Sequence, residues 1–369
     1  PWAITRSAGS SLPAARVLTE KVDRTPASFA ITADSKQIYF TAEEAGHEKL
    51  FVTSIRDGAT RLVFDMSIGA YTNVTIAERS RSLVLLATFE SATRPPQVVR
   101  IDPSKAAHTT LASFDDVRLA KLDLEPLRHF WFTSSKGRRI HNMLLTPPGF
   151  DPSKKYPLFV VIHGGPHTMN RDAWNYRWNA HALAAPGYVV TWINRHGSTG
   201  FGEKFARSIL GAWGDQPLED ILRGTDHLLR QLPNLDPKRV AAAGGSYGGY
   251  LTAWAAGHTD RFVCLINHAG VNNSYSQFAT DVPHGFAKVM GGTPWENVEG
   301  LQRNNPMFYA KNFKTPTLVI HGELDYRVPV AQGLQFYAAL QGQGVPSRLV
   351  YFPDENHWIL KPANSIQWH

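Results

Sequence analysis

The pattern of apolar and polar residues changes near residue 125 of the chain. Before that point, short segments of alternating apolar and polar residues are separated by turns rich in Asp and Gly, which is typical of antiparallel β-structure. After it, wholly apolar segments such as 158–162 alternate with helical segments, which indicates strands buried on both faces of a mostly parallel sheet. We therefore predict an all-β part over residues 1–125 and an α/β part, with helices on both faces of its sheet, over residues 126–369.

The all-β part contains a repeat. Candidate strands between residues 28 and 64 recur between residues 71 and 111, shifted by roughly 45 to 49 residues, which is in the range of a four-stranded propeller blade. We predict that this part forms the C-terminal blades of a β-propeller, with a small β-sandwich as the alternative. A closed propeller needs about four to eight blades, so the missing blades are expected outside this chain.

The α/β part is predicted element by element from its apolar segments. A hairpin is expected within residues 129–145. The later strands are predicted at 158–162, 188–193, 240–244, 262–267, 317–321 and 348–352, and the helices at 175–185, 217–232, 250–257 and 330–342.

Composition narrows the classes of function. The 369 residues are 43% hydrophobic and 19% charged, as in an ordinary globular protein, and no run of about 18 apolar residues predicts a membrane span. The net charge is +7, but the positive residues are scattered, so we do not expect a nucleic-acid partner. Cys264 is the single cysteine, which excludes an intrachain disulfide and a cysteine zinc cluster, and we expect it in the core.

A small glycine-rich turn carries the first candidate for chemistry. Gly244, Ser246 and Gly248 form a Gly-x-Ser-x-Gly pattern between a short apolar segment and an alanine-rich helical segment. An ordinary turn can also satisfy this pattern. The flanking strand and helix favour a nucleophile elbow, in which a sharp turn presents the serine hydroxyl above the edge of the sheet.

A base and an orienting acid follow later in the chain. Asp325 comes just after one predicted strand, and His357 comes after the last one. Serine becomes a nucleophile when neutral histidine takes its proton, and a carboxylate orients that histidine, so Ser246, Asp325 and His357 are the predicted catalytic triad. The order Ser, Asp, His is the one that α/β-hydrolases use. The rival carboxylates are Glu323, Asp354 and Asp281.

Acyl transfer also needs donors for the oxyanion. These are usually the N–H of the residue after the nucleophile and an N–H from an earlier strand-end loop. The first is then Tyr247. The second is Gly165, in the segment His163-Gly164-Gly165-Pro166 that follows an apolar strand.

Taken together, these motifs resemble the prolyl oligopeptidase family of serine peptidases, and within it the branch of acylaminoacyl-peptidases and bacterial dipeptidyl-peptidases. The matching segments are His163-Gly164-Gly165-Pro166, Asn194 to Gly202, Gly244 to Tyr250, Asp325 to Pro329 and Pro353 to His357. The resemblance implies an α/β-hydrolase fold preceded by a β-propeller, and a triad that works without a metal or an organic cofactor. It also implies that Arg327 holds a substrate carbonyl, and that Val328 and Val271, with Tyr247, line an apolar pocket.

The resemblance implies a peptidase that cleaves short peptides near their N-terminus through an acyl-enzyme. A carboxylesterase-type acyl hydrolase and a non-catalytic, propeller-led binding protein remain alternatives. Relatives often form homodimers, so a homodimer is a further expectation. The family propeller has more blades than this chain holds, and its relatives continue into a last helix. We therefore expect both the remaining blades and that helix to belong to a longer parent chain.

Overall fold

The computed structural model describes residues 16–77 and 83–369, so the parts of the blade prediction that fall on residues 1–15 and 78–82 lie outside the described residues. The strands are β1 Pro26–Ile31, β2 Gln37–Glu44, β3 His47–Ser54, β4 Thr60–Leu62, β5 Ala70–Ile76, β6 Leu85–Ser91, β7 Arg94–Asp102, β8 Ala107–Ala112, β9 Arg128–Thr133, β10 Arg139–Leu145, β11 Tyr156–Ile162, β12 Val189–Asn194, β13 Leu235–Gly245, β14 Cys264–His268, β15 Thr317–Gly322 and β16 Ser347–Phe352. The α-helices are α1 Asp116–Leu119, α2 Ala180–Ala184, α3 Glu203–Ala206, α4 Asp215–Gln231, α5 Tyr247–His258, α6 Ser274–Gln277, α7 Pro283–Met290, α8 Val298–Arg303, α9 Ala331–Gly342 and α10 Pro362–Trp368.

The N-terminal part consists of two four-stranded antiparallel units. Strands β1 to β4 pair in chain order, as do β5 to β8, and the units are joined through a single parallel residue pair between Glu48 and Ala70. Neighbouring residues point to opposite faces, so Tyr39 and Phe40 belong to different apolar clusters. Tyr39 shares its cluster with Leu85 and Val99 of the second unit, which means that the two units bury a common core.

The second sheet is mostly parallel, as predicted. Its order is β9-β10-β12-β11-β13-β14-β15-β16, with an antiparallel hairpin (β9 and β10) at one edge and parallel pairing from β12 to β16. Alternate residues of β11 enter two cores. Leu158 and Val160 pack on one face with α4, α5 and α9, while Phe159 and Val161 pack on the other with α2. Apolar residues at every position of β11 are therefore required, because both faces are covered.

The predicted strands of this sheet are all present, and the long helices α4, α5 and α9 match their predictions closely. The helix predicted at 175–185 is reduced to α2, and four short helices of the α/β part (α3, α6, α7 and α8) were not predicted. For α7 the sequence held a signal, because Pro283 begins it and Gly291, with φ 80°, ends it. The chain's last residues form α10, although a last helix was expected beyond this chain.

The parallel strand order brings several strand ends to one edge of the sheet. Strand β13 ends at the turn into α5, β15 ends before Asp325, and β16 ends before His357. Strand β11, which pairs with β13, ends just before His163-Gly164-Gly165. Carboxyl ends of parallel strands form the usual site of open α/β sheets, and this edge holds the predicted catalytic residues.

Candidate active site

Ser246 lies in the sharp turn between β13 and α5. Its φ of 59° and ψ of −119° fall in a region that non-glycine residues rarely adopt, and its N–H donates to the carbonyl of His268 at 2.9 Å. The flanking glycines are required by close approach. A Cβ on Gly244 would lie 2.3 Å from the carbonyl oxygen of Gly248, and one on Gly248 would lie 2.1 Å from that of Ile162. Close packing of the neighbouring backbone thus holds Ser246 in this strained conformation.

His357 and Asp325 form a buried pair. The Nδ1 of His357 lies 2.6 Å from Oδ2 of Asp325, and Asp325 Oδ1 accepts from the N–H groups of Arg327 at 3.0 Å and Val328 at 2.8 Å. Burial by itself would raise the pKa of Asp325, but hydrogen bonds from His321, His357 and the Val328 N–H outweigh it and lower that pKa. Asp325 is therefore held as a carboxylate that orients His357.

The rival carboxylates are not partners of His357. Asp354 pairs with Lys361, and Asp281 accepts from Nε of Arg327 at 2.7 Å. Glu323 does not contact the His357 ring either, since among the described residues Asp325 is the one carboxylate in contact with it.

A second histidine touches the same carboxylate and was missed by sequence reasoning. Nε2 of the fully buried His321 lies 2.8 Å from the carbonyl oxygen of Val328 and 3.5 Å from Asp325 Oδ2. The Nε2–H of His321 is shared between these two acceptors, with the shorter contact to the Val328 carbonyl, so His321 also fixes the loop that carries Asp325. His321 stands four residues before Asp325 at the end of β15, and that position was its one signal in the sequence.

His268 connects the serine turn with the histidine loop. Its carbonyl accepts from Ser246 N–H, and its Nε2–H donates to the carbonyl of His357 at 3.3 Å, because Nδ1 accepts from the indole of Trp368 at 3.2 Å. Burial, helped by the nearby positive charge of Arg177, lowers the pKa of His268 to about 3. His268 thus stays neutral and keeps this hydrogen-bond pattern over the physiological pH range.

The two predicted oxyanion residues lie beside Ser246. Tyr247 is the first residue of α5, where backbone N–H groups are free to hold negative charge. Gly165 lines the same cavity as Ser246, and a Cβ on its neighbour Gly164 would lie 3.3 Å from the Ser246 Cβ. The Tyr247 hydroxyl points into the core and donates to the carbonyl of Trp213 at 2.6 Å, so only its N–H is available to a substrate.

A buried arginine braces the loop that contains Gly165. Arg195 donates to the carbonyl of Pro166 at 3.2 Å and to that of His163 at 3.4 Å, and its guanidinium stacks 4.3 Å from the Tyr247 ring centroid. Arg195 belongs to a motif that the sequence resemblance included without a role. In the structure, Arg195 contacts the loop that carries Gly165 and the ring of Tyr247, so it supports both predicted oxyanion residues.

Ser246 and His357 face one cavity of about 450 Å³, whose wall also includes Gly165, Arg177 and Arg327. Three of the wall's remaining side chains are tryptophans. They are Trp178, Trp192 and Trp358.

Val271 and Val328 do not line this cavity, contrary to the expectation from the resemblance. Both side chains are buried in the core cluster that contains Tyr247, because the chain turns inward after β14 and after Asp325. Their backbone supports the site instead. Val271 N–H donates to the Ser246 carbonyl at 3.3 Å, and Val328 N–H donates to Asp325.

No helix within residues 16–77 and 83–369 combines the length and the apolar character needed to cross a bilayer. Over the same residues, His, Cys, Asp and Glu side chains form no group of three or more that could hold a metal ion. Cys264, in β14, is half-buried, and burial raises the pKa of its thiol.

Comparison with known proteins decides the family. Residues 174–369, more than half of the chain, match the sequence profile of the prolyl oligopeptidase family. This chain belongs to the prolyl oligopeptidase family. Its membership agrees with the resemblance inferred from the motifs and with the mostly parallel, helix-covered sheet.

Proteins similar to this chain include dipeptidyl-peptidases. Dipeptidyl-peptidase 5 of Schizosaccharomyces pombe is 36% identical over 353 residues, which is 94% of this chain and 50% of that protein. Dipeptidyl-peptidase 5 of Porphyromonas gingivalis is 34% identical over 91% of this chain and 49% of its own length. The chain thus spans about half the length of these relatives.

Among solved structures, the acylaminoacyl peptidase of Pyrococcus horikoshii superposes with a TM-score of 0.85 and 29% sequence identity. The superposition covers 95% of this chain and 55% of the Pyrococcus horikoshii chain. Both parts of the described structure therefore have counterparts in one solved structure.

Proposed function

We propose that this chain carries the catalytic part of a serine peptidase that cleaves short peptides near their N-terminus. The observation that carries the proposal is geometric. A strained serine between a strand and a helix shares one cavity with a histidine whose Nδ1 is held at 2.6 Å by a buried carboxylate. Membership of a peptidase family supports the choice of a peptide bond as the target.

The proposed reaction is acyl transfer. His357 Nε2 takes the proton of Ser246 Oγ as the oxygen attacks the carbonyl carbon, and Asp325 stabilises the imidazolium that forms. The N–H groups of Tyr247 and Gly165 hold the developing oxyanion. His357 then gives its proton to the leaving amine, and water releases the acyl group from Ser246 by the reverse sequence.

The relatives favour release of dipeptides. Those with 34% to 36% identity over more than nine-tenths of this chain are named dipeptidyl-peptidase 5. Removal of an acylated residue is the second candidate, because the similar Pyrococcus horikoshii structure is an acylaminoacyl peptidase. In either case Arg327, on the cavity wall, is proposed to hold a substrate carbonyl once it shifts from Asp281.

The two four-stranded units are proposed to be blades of a β-propeller that is completed by residues outside this chain. Their chain-order antiparallel pairing and common core support this assignment. A propeller beside the cavity would limit substrates to short peptides.

A paired assay tests the proposed function. Chromogenic amides of free-amine dipeptides and of acyl-alanine would be offered to the full-length protein, with Ser246→Ala as the control. Faster cleavage of the free-amine substrate supports a dipeptidyl-peptidase, and faster cleavage of the blocked one supports an acylaminoacyl-peptidase. Turnover of esters alone would favour the carboxylesterase alternative. Failure of a fluorophosphonate to label Ser246 would favour the non-catalytic binding protein.

A further inference from the structure

The wall of the catalytic cavity contains a guanidinium without a counter-ion. Arg177 lines the cavity with Ser246, and its Nη1 donates to the carbonyl of Trp358 at 3.1 Å, next to the base His357. Within the described part of the chain, no carboxylate lies within 4.0 Å of Arg177. An arginine has five N–H donors, so this contact leaves most of them unused.

The other described residues of the cavity wall supply no negative charge that would neutralise the Arg177 guanidinium. None of the described residues that line the cavity is Asp or Glu, whereas Arg327 adds a second guanidinium. Arg327 differs because it is paired with Asp281 at 2.7 Å. Three histidines also line the cavity: burial lowers the pKa of His268 to about 3 and that of His163 well below its ordinary value, and His357 is paired with Asp325. Arg177 is therefore the unpaired positive charge that faces this cavity.

Arg177 is also partly buried, and burial lowers the pKa of its guanidinium. Its neighbours in sequence and space are bulky, because Trp178 lines the same wall and packs edge-on against Trp368 at 4.7 Å between ring centroids. A partly buried, planar guanidinium loses less entropy per hydrogen bond on binding an anion than a flexible ammonium group.

We propose that Arg177 binds a carboxylate of the peptide substrate beside the bond that is cleaved. A planar guanidinium pairs with a carboxylate through two parallel hydrogen bonds, which gives geometric selectivity as well as affinity. The carboxylate can be the C-terminus of a short peptide or an acidic side chain near the cleaved bond, and both present the same group. The inference rests on the proposed function for the identity of the substrate, but the binding itself does not require turnover.

Measuring peptide binding to an inactive variant separates the proposed carboxylate site at Arg177 from the proposed peptidase activity. In the full-length Ser246→Ala protein, one peptide is compared with a C-terminal carboxylate and with a carboxamide. A second, carboxamide-ended pair carries Glu or Gln directly after the bond that is cleaved. We expect the acidic member of at least one pair to bind about tenfold more tightly or better, because a charge-assisted, two-point hydrogen bond is gained. The pair that shows the effect identifies the source of the carboxylate.

Three further variants, each in the Ser246→Ala background, assign the effect to Arg177. Arg177→Gln should bring the ratio of the two dissociation constants close to one, and Arg177→Lys should keep part of the preference. Arg230→Gln removes an exposed positive charge on α4 and should leave the preference unchanged. The lysine variant keeps the test valid if the glutamine variant does not fold.

The proposal is overturned if neither acidic peptide is preferred, or if the full preference survives in Arg177→Gln. A preference that depends on Arg177 in the inactive form, together with no turnover of any peptide by the protein with Ser246 intact, would support the carboxylate site and reject the peptidase assignment.

Discussion

At the scale of single residues, the site depends on how each polar side chain is held. Asp325 is fixed by two backbone N–H groups and contacts two histidines, of which only His357 reaches the cavity. His268 joins the serine turn to the histidine loop through a carbonyl and a ring nitrogen. The chemistry therefore relies on neutral histidines in defined tautomers and on one carboxylate that remains ionised.

Ser246→Ala should lower kcat for peptide amides by about 10⁵-fold or more, because the nucleophile is lost while the fold is not. The alanine side chain occupies the space of the serine Cβ. Steady-state kinetics and the urea midpoint of the full-length protein would check both statements. A large loss of stability together with activity would contradict the assignment of Ser246 as a nucleophile only.

The pH dependence of kcat/KM should show one ionisation on its acidic side. Activity falls as the pH is lowered, because a protonated His357 cannot take the proton of Ser246. Because hydrogen bonds lower the pKa of Asp325, its carboxylate stays charged and adds no second step. On the acidic side, the logarithm of kcat/KM should therefore fall with a limiting slope of about one. A flat profile from about pH 5 to 8 would count against His357 as the base.

At the scale of elements, the turn between β13 and α5 is limited by backbone crowding. Gly248→Ala should destabilise the protein by about 2 kcal/mol or more, since its Cβ would lie 2.1 Å from the Ile162 carbonyl oxygen and backbone must shift. Urea unfolding measures the loss, and kcat should fall as well because Ser246 moves with the turn.

A matched glycine provides the control for this experiment. Gly342 is the exposed last residue of α9, and nothing lies within 4 Å of a Cβ placed there. Gly342→Ala should change stability by less than about 1 kcal/mol, in the stabilising direction, and leave kcat unchanged. Equal effects of the two substitutions would show that crowding is not what selects Gly248.

At the scale of the whole molecule, the two parts meet at a group of buried polar residues. Asp172, from the α/β part, accepts N–H groups of Gly69 and Ala92 from the second four-stranded unit, each at 2.7 Å. Beside it, His47 of β3 stacks on His129 of β9 with 4.7 Å between ring centroids. Hydrogen bonds then run from Asn194 to His141 and on to His129, both at 2.9 Å.

The buried histidines His129 and His141 should make the folded protein less stable in acid. Burial lowers the pKa of His141 to about 3 and that of His129 to about 4, below the ordinary value of about 6.5 in the unfolded chain. Between the folded and unfolded pKa values, the unfolded chain binds more protons than the folded protein. The stabilisation from the neutral histidines is therefore complete above about pH 6.5 and is lost progressively as the pH falls. From the buried ring of His141 alone, the free energy of unfolding should be about 2 kcal/mol lower at pH 5 than at pH 7.5.

Urea unfolding at the two pH values measures this loss. His141→Gln should reduce the difference between them, because glutamine takes up no proton. Substituting the exposed His284 by Gln on α7 is the control and should leave the difference unchanged. A wild-type protein that is equally stable at both pH values would contradict the assignment of acid sensitivity to the buried histidines.

Much of the fold was predictable because its signals are local. The apolar segments of β11 and β13 to β16, and the long helices α4, α5 and α9, follow from residues that lie next to each other in the chain. The short helices were less predictable, since one or two turns carry little periodicity. The direction of Val271 and Val328 was also missed, because a strand-end loop can turn its side chains either to the cavity or to the core.

The sequence by itself determined the family, the strands and the long helices of the α/β part, and the candidates Ser246, Asp325 and His357, because local apolar segments and short motifs at strand ends carry that information. Only the tertiary structure decided which distant residues support them. Arg177, His268 and His321 come from separate segments, and they meet at the catalytic cavity or its supporting loops because parallel strands β11 and β13 to β16 end at one edge of the sheet. Contacts between residues far apart in the chain depend on this strand order, which local patterns do not encode.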